Sequence, residues 1–248
     1  MVGIMSNFNI NDISDKDGLK ALATDSVQRT HDVKLKPSIY YYTISRALVA
    51  IFEANSYKLP VQVWNEYRNS LDHLMRAAIT NDEDAEKKQL NSSRGHLLRA
   101  CLDITKLLCT YTDDWFKGLK KSKAYFSYSL VDNGSFLRDL EHQYVVARNL
   151  MINAKTHDMH LGNDSTKDDE IVDLYLDAYF AYKKLETMFY EKQGSSVVSK
   201  ISYYLLYIKA NWLTFIFSFA GKAFAALLIF LFGRYFDKLI QAWHTLVS

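Results

Sequence analysis

The sequence predicts an all-α protein in which a helical bundle is followed by a C-terminal transmembrane helix and an amphipathic tail. Three observations predict this fold class. The 248 residues include only two prolines and nine glycines, too few for the frequent tight turns of a β-sandwich or barrel. Apolar residues recur three and four positions apart along several long segments, which is typical of helices with one buried face. A further segment near the C-terminus is apolar almost throughout.

The bundle domain is predicted to occupy residues 37–193. The preceding residues 1–36 mix polar and apolar side chains without a sustained period, so we expect a loosely ordered lead-in. Residues 194–248 form a membrane-associated region in this prediction. Hydrophobic residues make up 49% of the chain, which is enough to build a core. The formal net charge of +2 is too small to attract nucleic acid by overall electrostatics, so such binding would need a local basic patch.

Five helices are predicted within the bundle. Pro37 opens the first, which ends near residue 55, and Pro60 begins the second at its first turn. An acidic stretch at 81–86 ends the second helix, and the third runs from about residue 86 to 117. Helices at about 135–156 and 170–193 complete the bundle. The apolar face of the third helix consists of Leu90, Leu97, Cys101, Ile104, Leu108, Tyr111 and Trp115, and that of the last consists of Leu174, Tyr175, Ala178, Tyr182, Leu185 and Phe189.

The second helix, at about 64–78, carries the most informative polar residues. Asn69 and His73 lie four residues apart on its polar side, where a helix meets solvent or another chain. Arg68 lies at the edge of the apolar face, roughly 140° around the helix from His73. One copy of the helix therefore cannot place the Arg68 and His73 side chains on a single phosphate. The expected buried face consists of Trp64, Tyr67, Leu71, Leu74, Met75 and Ala78.

Basic residues on and after the third helix have more than one interpretation. A solvated surface is the simpler one, and a patch that contacts RNA is the alternative, since lysines beside aromatic residues suit a phosphate backbone and its bases. The lysines at 117–123 and the aromatic residues after them also suit an anionic membrane surface. The tract at 117–123 also predicts a break between helices. The candidate RNA-contacting residues are Arg94, His96, Arg99, Lys120, Lys121 and Lys123.

The cysteines and remaining histidines predict neither a disulfide nor a metal centre. Cys101 and Cys109 are eight residues apart in a helical pattern, so we interpret both as reduced core thiols of a cytosolic domain. His157 and His160 lie in a polar segment without a defined ligand spacing. We therefore expect no metal site and no cofactor.

The apolar segment at about 212–232 predicts the transmembrane helix. Its 21 residues would span about 30 Å, the thickness of a bilayer core. Lys222 lies near its middle, where a lysine costs about 2.5–3.5 kcal/mol and commonly faces a partner or a pore. The alternative is a simple helix contact in which Gly221 and Ser218 allow close approach. Flanking segments at 201–208 and 233–248 are amphipathic and aromatic, as membrane-surface segments are.

The run at 66–74, which contains Arg68, Asn69 and His73, resembles the R-[polar]-x-x-x-H motif of HEPN domains. These domains are small helical bundles found in many RNases of toxin, anti-phage and CRISPR systems. The resemblance covers residues 38–122, and the segment at 96–103 is similar to a neighbouring HEPN helix. In that family the arginine and histidine of two chains meet across a dimer and form one metal-independent RNase site. The resemblance therefore implies that Arg68, Asn69 and His73 are catalytic and that the chain forms a homo-oligomer.

Three functions follow as hypotheses. The first is a membrane-anchored bacterial defence effector, whose HEPN-like domain assembles or senses RNA and whose C-terminal helix permeabilises or depolarises the membrane. The second is a membrane-tethered, metal-independent endoribonuclease, and the third is a non-enzymatic helical adaptor. We favour the first because Lys222 and the flanking amphipathic segments both indicate the membrane. Its expected partners are a second copy, membrane lipid, RNA and a CRISPR or other defence protein, with most of the chain in the cytosol at the bacterial inner membrane.

Overall fold

The segments with three-and-four spacing of apolar residues form long helices. The computed structural model describes Ile13, residues 15–122, Tyr125, Tyr128, Val131, Asp132 and residues 134–161 and 168–193. It also describes scattered positions between 209 and 243. The helices are α1 (Lys16–Arg29), α2 (Lys36–Ser56), α3 (Val61–Ile79), α4 (Glu83–Lys121), α5 (Ser135–Leu161) and α6 (Asp168–Gln193), with a 3₁₀ turn at Val33–Leu35. The prediction of an all-α protein is confirmed for these residues.

Helix α1 lies where the sequence predicts a loosely ordered lead-in. Asp15 caps it by accepting a hydrogen bond from the Gly18 N–H at 2.8 Å. Leu19 and Ala23 are buried, and α1 packs on α2. Lys16 forms an ion pair with an aspartate of α6 at 2.7 Å. With two buried residues in fourteen, the helix has too weak an apolar period to be recognised from sequence.

Charged residues at both ends explain why α4 is longer than predicted. Asp82 caps its start by accepting a hydrogen bond from the Asp84 N–H at 3.1 Å, and acidic residues of the first turn favour the positive end of the helix dipole. The acidic stretch at 81–86 therefore starts α4. Lys120 and Lys121 occupy the last turn, where positive charge favours the helix. The prediction of a break between helices at 117–123 is therefore wrong for residues 117–121, which belong to α4.

One core joins all six α-helices, α1 to α6, with Val63 as the contribution of α3. Helix α4 packs on α2, α3 and α6, and α5 packs along α6. The predicted apolar faces of α4 and α6 are largely confirmed, and aromatic residues after α4 join the same core. The buried residues are Leu97, Cys101, Ile104 and Leu108 of α4, Tyr175, Ala178, Tyr182, Leu185 and Phe189 of α6, and Tyr125 and Tyr128.

The buried face of α3 differs from the predicted one. Its fully buried residues are Val63, Ser70 and Ala77, which are seven residues apart. Tyr67 and Leu74 are half-buried. The most apolar part of the helix faces outward, with Trp64, Leu71, Met75, Ala78 and Ile79 exposed. Small Ser70 and Ala77 side chains allow a close approach to α4, whereas bulky residues would hold the helices apart.

The chain divides into two units, Met1–Ser196 and Val197–Ser248. Within the described residues, no helix combines the length and the apolar character needed to cross a bilayer. The predicted transmembrane helix at about 212–232 is therefore wrong. A crossing needs about 20 consecutive apolar residues in one helix, and Lys222, which is helical and exposed near the middle of this range, opposes burial in the apolar core of a bilayer. The remaining positions of this range, residues 201–208 and most of the predicted amphipathic tail lie outside the described residues.

Candidate functional site

The candidate site lies along one side of the contact between α3 and α4. The two helices are joined by a short connection and run antiparallel, so residue numbers rise along one as they fall along the other. Three polar contacts follow this register: Glu66 with Arg99 at 3.3 Å, Ser70 with Ser93 at 2.8 Å, and His73 with Gln89 at 2.7 Å. This side of α3 was predicted to meet solvent or another chain. It faces α4 instead.

Two imidazole rings stack at the centre of the site. The ring centroids of His73 and His96 are 5.1 Å apart, and the rings are inclined by 23°. His73 is half-buried, and its Nδ1 lies 2.7 Å from the Gln89 side-chain oxygen. An amide oxygen only accepts hydrogen bonds, so the proton of neutral His73 lies on Nδ1. Its Nε2 is then the atom with a lone pair for a substrate proton.

A carboxylate fixes the second imidazole. His96 Nδ1 lies 2.6 Å from Glu66 Oε2, and these side chains are only 17% and 18% exposed. A lone pair on Nδ1 would repel the carboxylate oxygen at this distance. Nδ1 therefore carries a proton and donates a hydrogen bond to Glu66. Arg99 Nε donates to Glu66 Oε2 at 3.3 Å, and Arg99 Nη2 lies 2.8 Å from His96 Nδ1, which is a contact between two donors and not a hydrogen bond when Nδ1 carries the proton. The cluster therefore combines two imidazoles, a carboxylate and a guanidinium.

The residues named by the R-[polar]-x-x-x-H motif do not converge within one chain. Asn69 is half-buried and lies on the same side of α3 as Glu66 and His73, three and four residues away from them. Arg68 is exposed on the outward apolar face of α3. The structure thus places Asn69 beside the histidine pair and Arg68 away from it, in agreement with the predicted angle of roughly 140°.

The predicted RNA-contacting residues do not form a single patch. Arg94 points toward α2 and α6, where it donates to the Tyr41 hydroxyl at 3.2 Å and pairs with Asp168 at 3.3 Å. Lys120 pairs with Glu141 at 2.8 Å. It lies 24 residues beyond His96 along α4, about 36 Å away at the helical rise per residue. Lys121 is exposed in the last turn, and Lys123 lies outside the described residues. Of the five that the structure describes, His96 and Arg99 alone belong to the candidate site.

The residues predicted to lie in the membrane belong to the second unit. Ser218, Gly221 and Lys222 are helical and exposed there. Among the described residues, no group of three or more His, Cys, Asp and Glu is arranged to hold a metal ion. The His160 side chain lies outside the described residues.

Sequence reasoning missed Glu66 and Gln89, and a signal for both existed. Glu66 precedes His73 by seven residues, and Gln89 precedes His96 by seven. Seven residues are almost two helical turns, so each pair shares a face. Asp103 extends this polar side of α4. Its carboxylate accepts a hydrogen bond from Gln62 at 3.1 Å, and burial raises its pKa.

A scan of protein-family models and searches of curated proteins and of solved structures found no match to this chain. The resemblance to HEPN domains therefore remains a prediction based on Arg68, Asn69 and His73.

Proposed function

We propose that this chain is a metal-independent endoribonuclease whose acid–base groups are His73 and His96. The observation that supports this proposal is the stacked pair of imidazoles, 5.1 Å apart on two rigid helices. Each ring is held at Nδ1 by a hydrogen-bond acceptor, so each has its Nε2 left for a substrate. A step that uses both a general base and a general acid needs two such groups within reach of one reacting phosphate.

RNA is the substrate that suits this pair, because its 2′-hydroxyl supplies an internal nucleophile. One imidazole takes the 2′-hydroxyl proton while the oxygen attacks phosphorus. The other, as imidazolium, donates a proton to the departing 5′-oxygen, so the products are a 2′,3′-cyclic phosphate and a 5′-hydroxyl. Arg99 is 55% exposed beside the rings, where its guanidinium stabilises negative charge on the phosphorane. Asn69 supplies a neutral donor on the same side of α3.

The nuclease hypothesis fits the described residues better than the membrane-effector hypothesis does. The effector hypothesis depended on the predicted span at about 212–232, and no described helix is able to cross a membrane. The histidine pair does not depend on that segment, since α3 and α4 belong to the unit Met1–Ser196.

A second copy of the chain is part of the proposal. Trp64, Leu71, Met75 and Ile79 are exposed on the outward face of α3, and Arg68 lies among them. An exposed apolar face of this kind on a helix is typical of a protein contact. Pairing of this face with a second copy would remove it from water and place Arg68 at the contact. We expect this homodimer to be the form that binds RNA.

The test is cleavage of a labelled single-stranded RNA by the purified full-length chain in excess EDTA. We expect cleavage that ends in 2′,3′-cyclic phosphates, and none of a DNA of the same sequence, which lacks the nucleophile. His73→Gln and His96→Gln should each lower the rate by about 10²-fold or more. His142, exposed on α5, provides the control: His142→Gln should cleave like the wild type. Cleavage that persists in both site variants would refute the proposal.

A further inference from the structure

We propose that the two histidines have fixed and different roles, with His73 as general base, His96 as general acid and Glu66 as the positioning residue for His96. This assignment rests on the proposed nuclease function. Different groups hold the two rings. Gln89 gives His73 a neutral amide oxygen at 2.7 Å, and Glu66 gives His96 a carboxylate at 2.6 Å.

A carboxylate partner favours the protonated ring. In the neutral state both histidines carry a proton on Nδ1, as their acceptors require. A proton added at Nε2 creates a positive charge that Glu66 stabilises through a charge-assisted hydrogen bond, whereas the Gln89 amide carries no net charge to stabilise it. A general acid begins the step as an imidazolium, whose charge the Glu66 carboxylate at His96 compensates, whereas a general base begins neutral, which the uncharged Gln89 amide at His73 suits.

Arg99 disfavours a positive charge on His96 and Glu66 favours it. The two side chains differ in their exposure to solvent. Its guanidinium lies 2.8 Å from His96 Nδ1, and a positive neighbour disfavours an imidazolium. Arg99 is 55% exposed, so water and salt screen its charge, whereas Glu66 is 18% exposed and its charge is screened less. Glu66 also accepts hydrogen bonds from both side chains, which offsets their mutual repulsion.

The surroundings of His96 supply few other charges. Helix α6 also packs on α4, but its Asp168 pairs with Arg94, which lies two residues and roughly 200° around the helix from His96. Helix α2 directs the Tyr41 hydroxyl to the same arginine. Among the described residues, the titratable and charged groups that contact His96 are Glu66, His73 and Arg99. Asp103 lies about two helical turns away on the same side of α4.

The assignment fixes the path of each proton in the step. His73 Nε2 takes the 2′-hydroxyl proton as the 2′-oxygen bonds to phosphorus. The bond from phosphorus to the 5′-oxygen breaks, and His96 Nε2 gives that oxygen a proton. One proton enters the pair and one leaves it, so exchange with water restores the starting state. A leaving group that departs without protonation needs only His73.

The leaving-group dependence provides the test, measured with the full-length chain on two substrates. One is a dinucleoside phosphate, and the other is a nucleoside 3′-(nitrophenyl phosphate), whose nitrophenolate leaves unaided. His96→Gln should lower kcat/KM for the dinucleoside by about 10²-fold or more, yet stay within about tenfold of wild type on the nitrophenyl ester. Glu66→Gln should show a smaller loss with the same selectivity, in kcat rather than KM. His73→Gln should lose activity on both substrates.

The outcomes separate this assignment from the proposed function. If the wild type cleaves neither substrate, the nuclease proposal fails and the assignment fails with it. If the wild type cleaves both, and the nitrophenyl ester rescues His73→Gln instead of His96→Gln, the nuclease stands and the roles are overturned. Equal losses of Glu66→Gln on the two substrates would also overturn the role of Glu66. Circular dichroism of each variant, with His142→Gln as control, identifies losses that come from unfolding.

Discussion

The hydroxyls of Ser70 and Ser93 form a buried hydrogen bond of 2.8 Å across the contact between α3 and α4. Each serine precedes a histidine of the candidate site by three residues, so the bond lies one helical turn from both imidazoles. It is the point at which the two small side chains let the helices approach, and it fixes which residues of α3 face which residues of α4. The geometry of the catalytic pair therefore depends on this contact.

We expect Ser70→Ala and Ser93→Ala each to destabilise the fold by about 1–2 kcal/mol, because each leaves a buried hydroxyl without its partner. The double substitution should cost less than the sum of the two, since both polar groups are then gone. Urea unfolding of the wild type, the two single variants and the double variant measures the interaction energy between the two serines. Ser92→Ala, on the adjacent position of α4, should change stability little and serves as the control. Strictly additive losses would contradict a direct bond.

Acid should destabilise the fold through carboxylates that accept hydrogen bonds from tyrosine and lysine. Burial alone would raise the pKa of Asp113, but hydrogen bonds from Lys117 and Tyr144 outweigh burial and hold this pKa below its ordinary value. A carboxyl whose pKa is lowered on folding stabilises the folded state above the unfolded pKa of about 3.9. This contribution is lost as the pH falls through the lower, folded-state value. The pKa values of Asp158 and Glu141 are also lowered, because hydrogen bonds from a lysine and a tyrosine outweigh burial at each carboxylate.

The measurement is the free energy of unfolding in urea between pH 7 and pH 2. Asp113→Asn should be less stable than wild type at pH 7 by about 1–2 kcal/mol, and its stability should fall less steeply below pH 4. Asp114→Asn changes the exposed neighbouring carboxylate and is the matched control, with a pH dependence close to wild type. If Asp113→Asn and wild type lose stability in parallel down to pH 2, the carboxylate does not contribute as stated.

The two cysteines should be inert toward thiol reagents while the chain is folded. Burial raises the pKa of both Cys101 and Cys109 to about 12, so little thiolate forms near neutral pH, and the core shields both sulfur atoms. We expect no reaction with Ellman's reagent in native buffer and reaction of both thiols in guanidinium. Thr110→Cys places a thiol at an exposed position beside Cys109 and should react at once. Rapid labelling of the wild type would contradict the buried placement.

The sequence was sufficient to predict helices but not the direction in which α3 faces. Pro37 and Pro60 mark the starts of α2 and α3 correctly, since proline fits the first turn of a helix and no later position. The buried face of α3 was assigned to its most apolar residues, whereas close packing on α4 selected Ser70 and Ala77 for their size. That error hid the site, because it placed His73 in solvent. Hydrophobicity predicts that the most apolar face of a helix is buried. The face that is actually buried is the one whose shape fits the neighbouring helix.

The exposed apolar face of α3 should control the oligomeric state. We expect the wild type to be a dimer by light scattering coupled to gel filtration, and Leu71→Glu to shift it toward monomer, because two carboxylates would be buried at the contact without partners. Ile152→Glu on α5 is the matched control, since Leu71 and Ile152 are both 53% exposed. It should remain dimeric. A wild type that stays monomeric at high concentration, or equal dissociation of the two variants, would contradict pairing through α3. If the dimer forms and Leu71→Glu also lowers RNA cleavage while the helix content is unchanged, the second copy contributes to the active form, as expected for a face that carries Arg68.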